Sequence, residues 1–380
     1  MTWTTKPTGG HHLKLILAAT AVVFLWLLYR LGLPQSPEQH LGGIPDSKPA
    51  GENGNGYNSI LGMHPDVLSE EAAQQFCTNF RLEPFPRAQA GRRKIYDLLL
   101  INTELELLDV RLGQMSPGVD YFVILESDRT FTDQAKPLFV QDNWSRFAKY
   151  HRQMIRRTMD RTTGAFQDTW AREGASRNAM YDQVVPYLTG EQAANRHDIV
   201  LVSDVDEMFK PEVLKALRNC DVPDKVTAMS RMFYYSFQWL QDKSWPHPQA
   251  TVYKGENETI LPNTLRKHSD SHFVFPEGGW HCSYCFSTLA EMIKKITSFS
   301  HTEMDRPEFK DPLKIIDRVR HGKYMFDRSL YTRIERNFDV PDFLHVGTNS
   351  EKYGFMLSRD PPNANFKDWD PKTQTLLPSE

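Results

Sequence analysis

Two carboxylates one residue apart, Asp204 and Asp206 in the pentad Ser203-Asp204-Val205-Asp206-Glu207, are the side chains of this sequence best suited to chemistry. On one turn such a pair can reach a single Mg²⁺ or Mn²⁺. These hard cations take a few protein oxygens and fill the remaining positions with water or phosphate. Arg177 and Asn178 stand one predicted helix earlier, where a guanidinium can clamp a diphosphate through two parallel bonds. His281 and His301 are candidate nitrogen ligands to complete a metal shell, and Trp280 and Tyr284 are flat surfaces on which a ring could stack. Asp206 is the expected direct metal ligand, Asp204 a metal and diphosphate residue, and Glu207 a supporting acceptor.

The elements that must hold these residues are legible on either side. Ile199-Val200-Leu201-Val202 runs straight into the pentad, an apolar stretch of the kind that forms a strand buried on both faces of a parallel sheet. The acids then fall at the carboxyl end of a strand, where open α/β sheets bind ligands. Ile95 to Ile101 and Tyr121 to Leu125 read as two earlier strands, and Tyr96, Asp97 and Glu126 are assigned to the resting place of a nucleotide base and ribose. Helical character covers Glu104 to Leu112, Ala171 to Val185, Pro211 to Arg218, Leu289 to Thr297 and Leu313 to Val319, while Val226 to Phe237 resumes strand-like sequence. His272 to Phe286 reads as two aromatic segments about a Gly278-Gly279 turn. Strands alternating with helices give an α/β domain on a Rossmann-like, mostly parallel sheet.

A formal net charge of −3 over 380 residues leaves no polycationic footprint, which argues against nucleic acid as a partner. From Leu15 to Tyr29 every residue except Thr20 is apolar or aromatic, and Leu13 and the extension to Leu33 bring the run to membrane-spanning length. Bulky residues from Phe24 to Tyr29 leave no small-residue cleavage site directly downstream, so an uncleaved signal anchor is expected. The expected organisation is a cytosolic tail over 1–12, the anchor over 13–33, a Pro/Gly/Asn/Ser-rich stem over 34–76, a lumenal domain over 77–360 and a surface tail over 361–380. The sequons Asn143-Trp144-Ser145 and Asn257-Glu258-Thr259 suit that address. The four cysteines, Cys77, Cys220, Cys282 and Cys285, are expected as disulfides or buried thiols with no pairing readable.

Taken together, several segments resemble glycosyltransferase family 17: Lys94-Ile95-Tyr96-Asp97, Glu126-Ser127 with Thr130-Phe131 and Lys136-Pro137-Leu138, the Ser203 to Glu207 pentad, Tyr234-Tyr235-Ser236-Phe237, Gly279 to Phe286, Ser300-His301 with Asp305-Arg306, and Phe326-Asp327. The resemblance implies a GT-A type fold and an inverting transfer from UDP-GlcNAc to a mannose-containing glycoprotein glycan, aided by Mn²⁺ or Mg²⁺ at a Golgi membrane. Inversion needs one carboxylate to take the acceptor's proton. Asp305 is the first choice, with Glu303, Glu277 and Asp327 as rivals. Other readings are another UDP-sugar or acceptor, a phosphohydrolase of the Asp-x-Asp type, and a non-catalytic, lectin-like membrane protein.

Overall fold

The computed structural model describes residues 66–87, 91–160, 166–267 and 271–377. The expected tail, anchor and most of the stem lie outside the described residues. Among the described residues no helix is long and apolar enough to cross a membrane.

Four strands form the parallel half of the sheet: β1 (Ile95–Leu100), β2 (Tyr121–Glu126), β3 (Met154–Thr158) and β4 (Ile199–Asp204), in the spatial order β3-β2-β1-β4. The apolar runs of β1, β2 and β4 are buried nearly end to end, as strands covered on both faces must be. Register sets the level of the site, because Asp204 at the end of β4 pairs with Leu100 at the end of β1.

Beyond β4 the ladder turns antiparallel through β8 (Gln249–Val252), β6 (Val226–Tyr234), β7 (Trp239–Trp245) and β10 (Thr332–Arg333). A long strand, β9 (Phe273–Ser283), lies parallel to β6 and carries the short β5 (Glu207–Phe209) on its other edge. The α-helices include Glu70–Thr78, Leu105–Met115, Thr169–Asp182, Pro211–Asn219, Leu289–Ser298 and Pro312–Arg320. Ser69, Asp168, Thr288 and Asp311 cap four of them by accepting from free N–H groups of the first turn. Disulfides join Cys77 to Cys220 and Cys282 to Cys285.

Several expectations are corrected. The folded part begins before Cys77, since the Glu70–Thr78 helix falls in the expected stem and the Leu68 N–H donates to Asn219 Oδ1 at 2.9 Å. Residues 361–370 are no surface tail: Ala364, Phe366 and Trp369 are buried in a core with Trp239 and Phe286, and Asp368 accepts from the Leu289 and Ala290 amides, whereas 371–377 are exposed. Gly278-Gly279 is not a turn, because β9 runs through it. A Cβ on Gly279 would stand 2.9 Å from the Met208 carbonyl oxygen, so the glycine there lets β5 approach. Finally, β3 was not expected; only Met154 and Ile155 of it are buried, and two arginines follow them.

Candidate active site

A cavity of about 400 Å³ opens over the carboxyl ends of β1, β2 and β4. Its floor is the Asp204-Val205-Asp206-Glu207 turn, and Arg111, wholly buried in the Leu105–Met115 helix, holds that turn from below. Arg111 donates to both oxygens of Asp97 at 2.7 Å, to the carbonyls of Asp204 and Glu207, and to the Ser203 hydroxyl. The turn is thereby fixed by a charged fork whose own charge Asp97 neutralises.

The two aspartates turn to different partners. Asp204 pairs with Arg177 at 3.0 Å and with Arg266 at 3.4 Å, and with 35% of its side chain exposed it faces the cavity. Burial pushes its carboxyl up, but the two guanidinium groups outweigh burial and hold it below its ordinary value. Glu207 is saturated: it accepts from Trp245 Nε1 at 2.7 Å, from Arg266 and from the Asp204 amide. Burial pushes its carboxyl up, but Arg266 together with His247 and His281 outweighs burial and holds Glu207 well below the usual carboxylate range.

Asp206 is different. Its Oδ2 lies 3.7 Å from His281 Nε2 and 3.9 Å from Lys295 Nζ, both beyond hydrogen-bond distance. Lys295 is instead held at 2.8 Å by Glu104, whose other oxygen accepts from the Asn102 and Thr103 amides. The nitrogen and oxygen of His281 and Asp206 fall between the about 3.0 Å and about 4.2 Å spacings of adjacent and opposite corners of an octahedron with 2.1 Å bonds. That spacing matches neither pair of corners, so the two side chains do not stand in octahedral positions as they are; Asp206 and His281 are the residues that would face a cation, with ligand oxygens needed to fill its shell. Asp204 does not fit the same ion, since two arginines already occupy its carboxylate. Among the described residues no group of three or more His, Cys, Asp or Glu side chains is arranged to hold a metal.

Other expected site residues lie elsewhere. Tyr96 and Asp97 sit at the amino end of β1, below the cavity. Tyr96 donates to the Gln192 and Ala193 carbonyls, and Asp97 is spent on Arg111. Glu126 does reach the carboxyl end of β2, but its carboxylate accepts from the Val140 and Gln141 amides and caps the short 139–142 helix. Asn178 accepts from the Asn263 amide, away from the cavity, and Trp280 donates to Asp339. The four candidate bases are not cavity-lining residues: Asp305 pairs with Lys310, Asp327 closes a turn onto Ser329, Glu277 lies exposed near the middle of β9 with a φ of 50°, and Glu303 bonds His301. His301 lines the cavity rim beside Trp170, at 4.8 Å between rings, and no contact among the described residues links it to Asp206.

The structure adds residues that had no expected role. Arg266, Lys295, Glu104, Glu173 and Lys136 all line the cavity, brought there from segments far apart in the chain. Glu173 accepts from Arg177 at 2.8 Å and from the Ser300 hydroxyl. Only contacts reveal them, because each reads in isolation as an ordinary surface charge.

This arrangement of an acidic turn above a parallel half-sheet coincides with a match to the profile of Glycosyltransferase family 17 over residues 67–332. The chain belongs to glycosyltransferase family 17. Among curated proteins, the family-17 chain is similar to beta-1,4-mannosyl-glycoprotein 4-beta-N-acetylglucosaminyltransferase of Rattus norvegicus, 23% identical over a 238-residue alignment that covers 54% of this chain and 43% of that protein. It is likewise similar to the protein of that name from Homo sapiens, at 22% identity over the same shares. The match thus spans less than half the length of these relatives. Among solved structures, it is similar to mannosyltransferase PcManGT from Pyrobaculum calidifontis in complex with GDP-Man and Mn²⁺, at 11% identity and a TM-score of 0.31, over 60% of this chain and 70% of that one.

Proposed function

We propose that the protein is an inverting, GT-A type transferase that moves N-acetylglucosamine from UDP-GlcNAc to a mannose-containing glycoprotein glycan with the help of Mn²⁺ or Mg²⁺. The observation that carries this reading is Asp206. It is a nearly buried carboxylate with no hydrogen bond to its oxygens, beside His281 at 3.7 Å and over the ends of a parallel half-sheet. When bound, a divalent cation there would neutralise charge that builds on the leaving diphosphate. The donor sugar, acceptor and linkage follow the names of the similar proteins.

The protein's own groups divide the remaining work. Arg177 and Arg266, held against Asp204, offer guanidinium edges to phosphate oxygens, and Tyr284 and Tyr324 line the wall where a sugar ring would lie. The acceptor enters past Trp170, and His301 is assigned as the group that takes its proton. His301 Nδ1 is bound to Glu303 at 2.7 Å, which orients the ring and leaves Nε2 free, whereas both oxygens of Glu173 are engaged. The acceptor oxygen then bonds to the anomeric carbon as the bond to the diphosphate breaks on the opposite face.

In this reading residues 13–33 anchor the chain in the Golgi membrane as a type II protein and the catalytic domain is lumenal. Two disulfides and the exposed Asn257 sequon suit that compartment. The test is to incubate the full chain with a panel of UDP-sugars, with and without Mn²⁺ and mannose-terminated N-glycans, and to follow UDP release. Release from UDP-GlcNAc that needs both metal and glycan is expected. Equal release from every donor, or none from any, overturns the proposal.

A further inference from the structure

Among the described residues, every guanidinium or ammonium facing the cavity has a partner except one. Arg177 bonds Glu173 and Asp204, Arg266 bonds Glu207 and Asp204, Lys295 bonds Glu104, and Arg129 donates to the Asp133 carbonyl. Lys136 is 9% exposed, lines the same cavity, and its Nζ has no hydrogen-bond partner.

This is not a loose side chain. The loop after β2 folds back on itself through a bridge between Arg129 and Ala135, and the Lys136 amide donates to the Asp128 carbonyl at 2.9 Å. The ammonium lies 5.5 Å from the Phe139 ring centroid. The carboxylates whose charge reaches it are already engaged: Glu126 is taken by two amides, and Glu104 by two amides and Lys295. Burial accordingly pushes the Lys136 ammonium down from its ordinary value, with Glu126 and Glu104 opposing at a distance. A buried ammonium left uncompensated is costly, and a neutral ligand would supply a hydrogen bond but no countercharge.

We propose that Lys136 binds the diphosphate of the nucleotide-sugar donor, completing a cationic cavity whose other members are already neutralised by the protein. This rests on the donor reading above. Lys136→Met keeps the length and apolar stem of the side chain and removes only the charge.

The experiment is calorimetric titration of the full-length wild type and K136M with UDP, uridine and inorganic pyrophosphate, with melting temperatures of both ligand-free proteins. Loss of a charge-assisted bond should weaken UDP and pyrophosphate about 10- to 100-fold and leave uridine unchanged. K136M should melt no lower than wild type, because an unpaired buried charge has been removed. Unchanged UDP affinity in K136M overturns the proposal, and so does an equal loss for uridine, which would move the contact to the nucleoside. A melting temperature several degrees lower in K136M also overturns it, since the ammonium would then be holding the fold. If wild type binds pyrophosphate as tightly as UDP and K136M loses both, the Lys136 assignment stands and the nucleotide reading falls. If wild type binds neither, both fall.

Discussion

Asp97 separates two accounts of the first strand, one in which it touches the nucleotide and one in which it holds the catalytic turn. In the structure its two oxygens face Arg111 Nε and Nη2 at 2.7 Å, with both side chains wholly buried. Asp97→Asn preserves shape while removing the countercharge, and it sets an amide against a guanidinium that still has to serve two carbonyls of the motif turn. Breaking a buried pair on one side costs about 3–5 kcal/mol, mostly from the charge left unpaired. With about 2.1 cal/mol/K of unfolding entropy per residue across residues 66–377, this becomes a melting temperature lower by about 5–8 °C. The companion variant Asp97→Leu/Arg111→Met removes both charges and should recover most of that loss, since an apolar replacement of a buried pair is often neutral. Thermal unfolding followed by near-ultraviolet circular dichroism reads the stability, and titration with UDP reads the ligand. If Asp97→Asn melts within about 1 °C of wild type while UDP affinity collapses, Asp97 is a ligand residue and the ion pair does not support the turn.

Asp206→Ala should leave circular dichroism and melting unchanged yet lower Mn²⁺-dependent UDP release by at least about 10²-fold, because charge on the leaving diphosphate goes unneutralised; normal turnover at saturating Mn²⁺ would remove the metal assignment. Burial, with Glu106 and Glu104 adding, raises the Glu291 carboxyl to about 7 against the opposing Thr288 hydrogen bonds. Its folded form prefers the proton, so the stability it contributes is complete below the unfolded value of 4.5 and is lost as pH rises through about 7. Glu291→Gln should therefore raise stability at pH 8 by about 1–3 kcal/mol and flatten the slope between pH 5 and 8; urea titrations that stay parallel across that range would contradict it. Replacing Cys77 and Cys220 together by Ser opens a link between residues 143 apart and should cost about 2–5 kcal/mol in urea unfolding. Phe366→Ala, in the segment first read as a tail, should cost about 3–5 kcal/mol in the same assay, whereas a true tail would give no change.

How far the sequence disclosed this site depended on whether a residue's role was local. The strand β4 and its acidic end were legible because four buried aliphatics followed by two carboxylates make one continuous signal, and the sheet level of Asp204 follows from the strand itself. Tyr96 and Asp97 were placed too high because a strand's apolar pattern marks both faces but not which end faces the ligand, and they lie at the amino end of β1. Arg111 was invisible, since a buried arginine in a helix has the same spacing as a solvated one; only the contact with Asp97 distinguishes it. The Gly278-Gly279 pair has two physical causes with one appearance, a turn or a close approach, and here β5 crossing at Met208 decides for the second.

The candidate bases lie away from the cavity for a related reason. A carboxylate's usefulness depends on being free as well as near, and a sequence reports neither condition. Asp305 is spent on Lys310, and Glu173 and Glu207, which do line the cavity, are spent on arginines. Among the described residues the cavity leaves several polar groups without a hydrogen bond, and three of them bear on transfer chemistry: the carboxylate of Asp206, the Nε2 of His301 and the ammonium of Lys136. In the proposed reading they would serve as an acceptor for a cation, an acceptor for a proton and a countercharge for a diphosphate, the groups that a transfer from a nucleotide-sugar to a hydroxyl requires. Function in this protein is thus read from the polar groups that the fold declines to satisfy, and the larger number of ion pairs around them serves to keep those few in position.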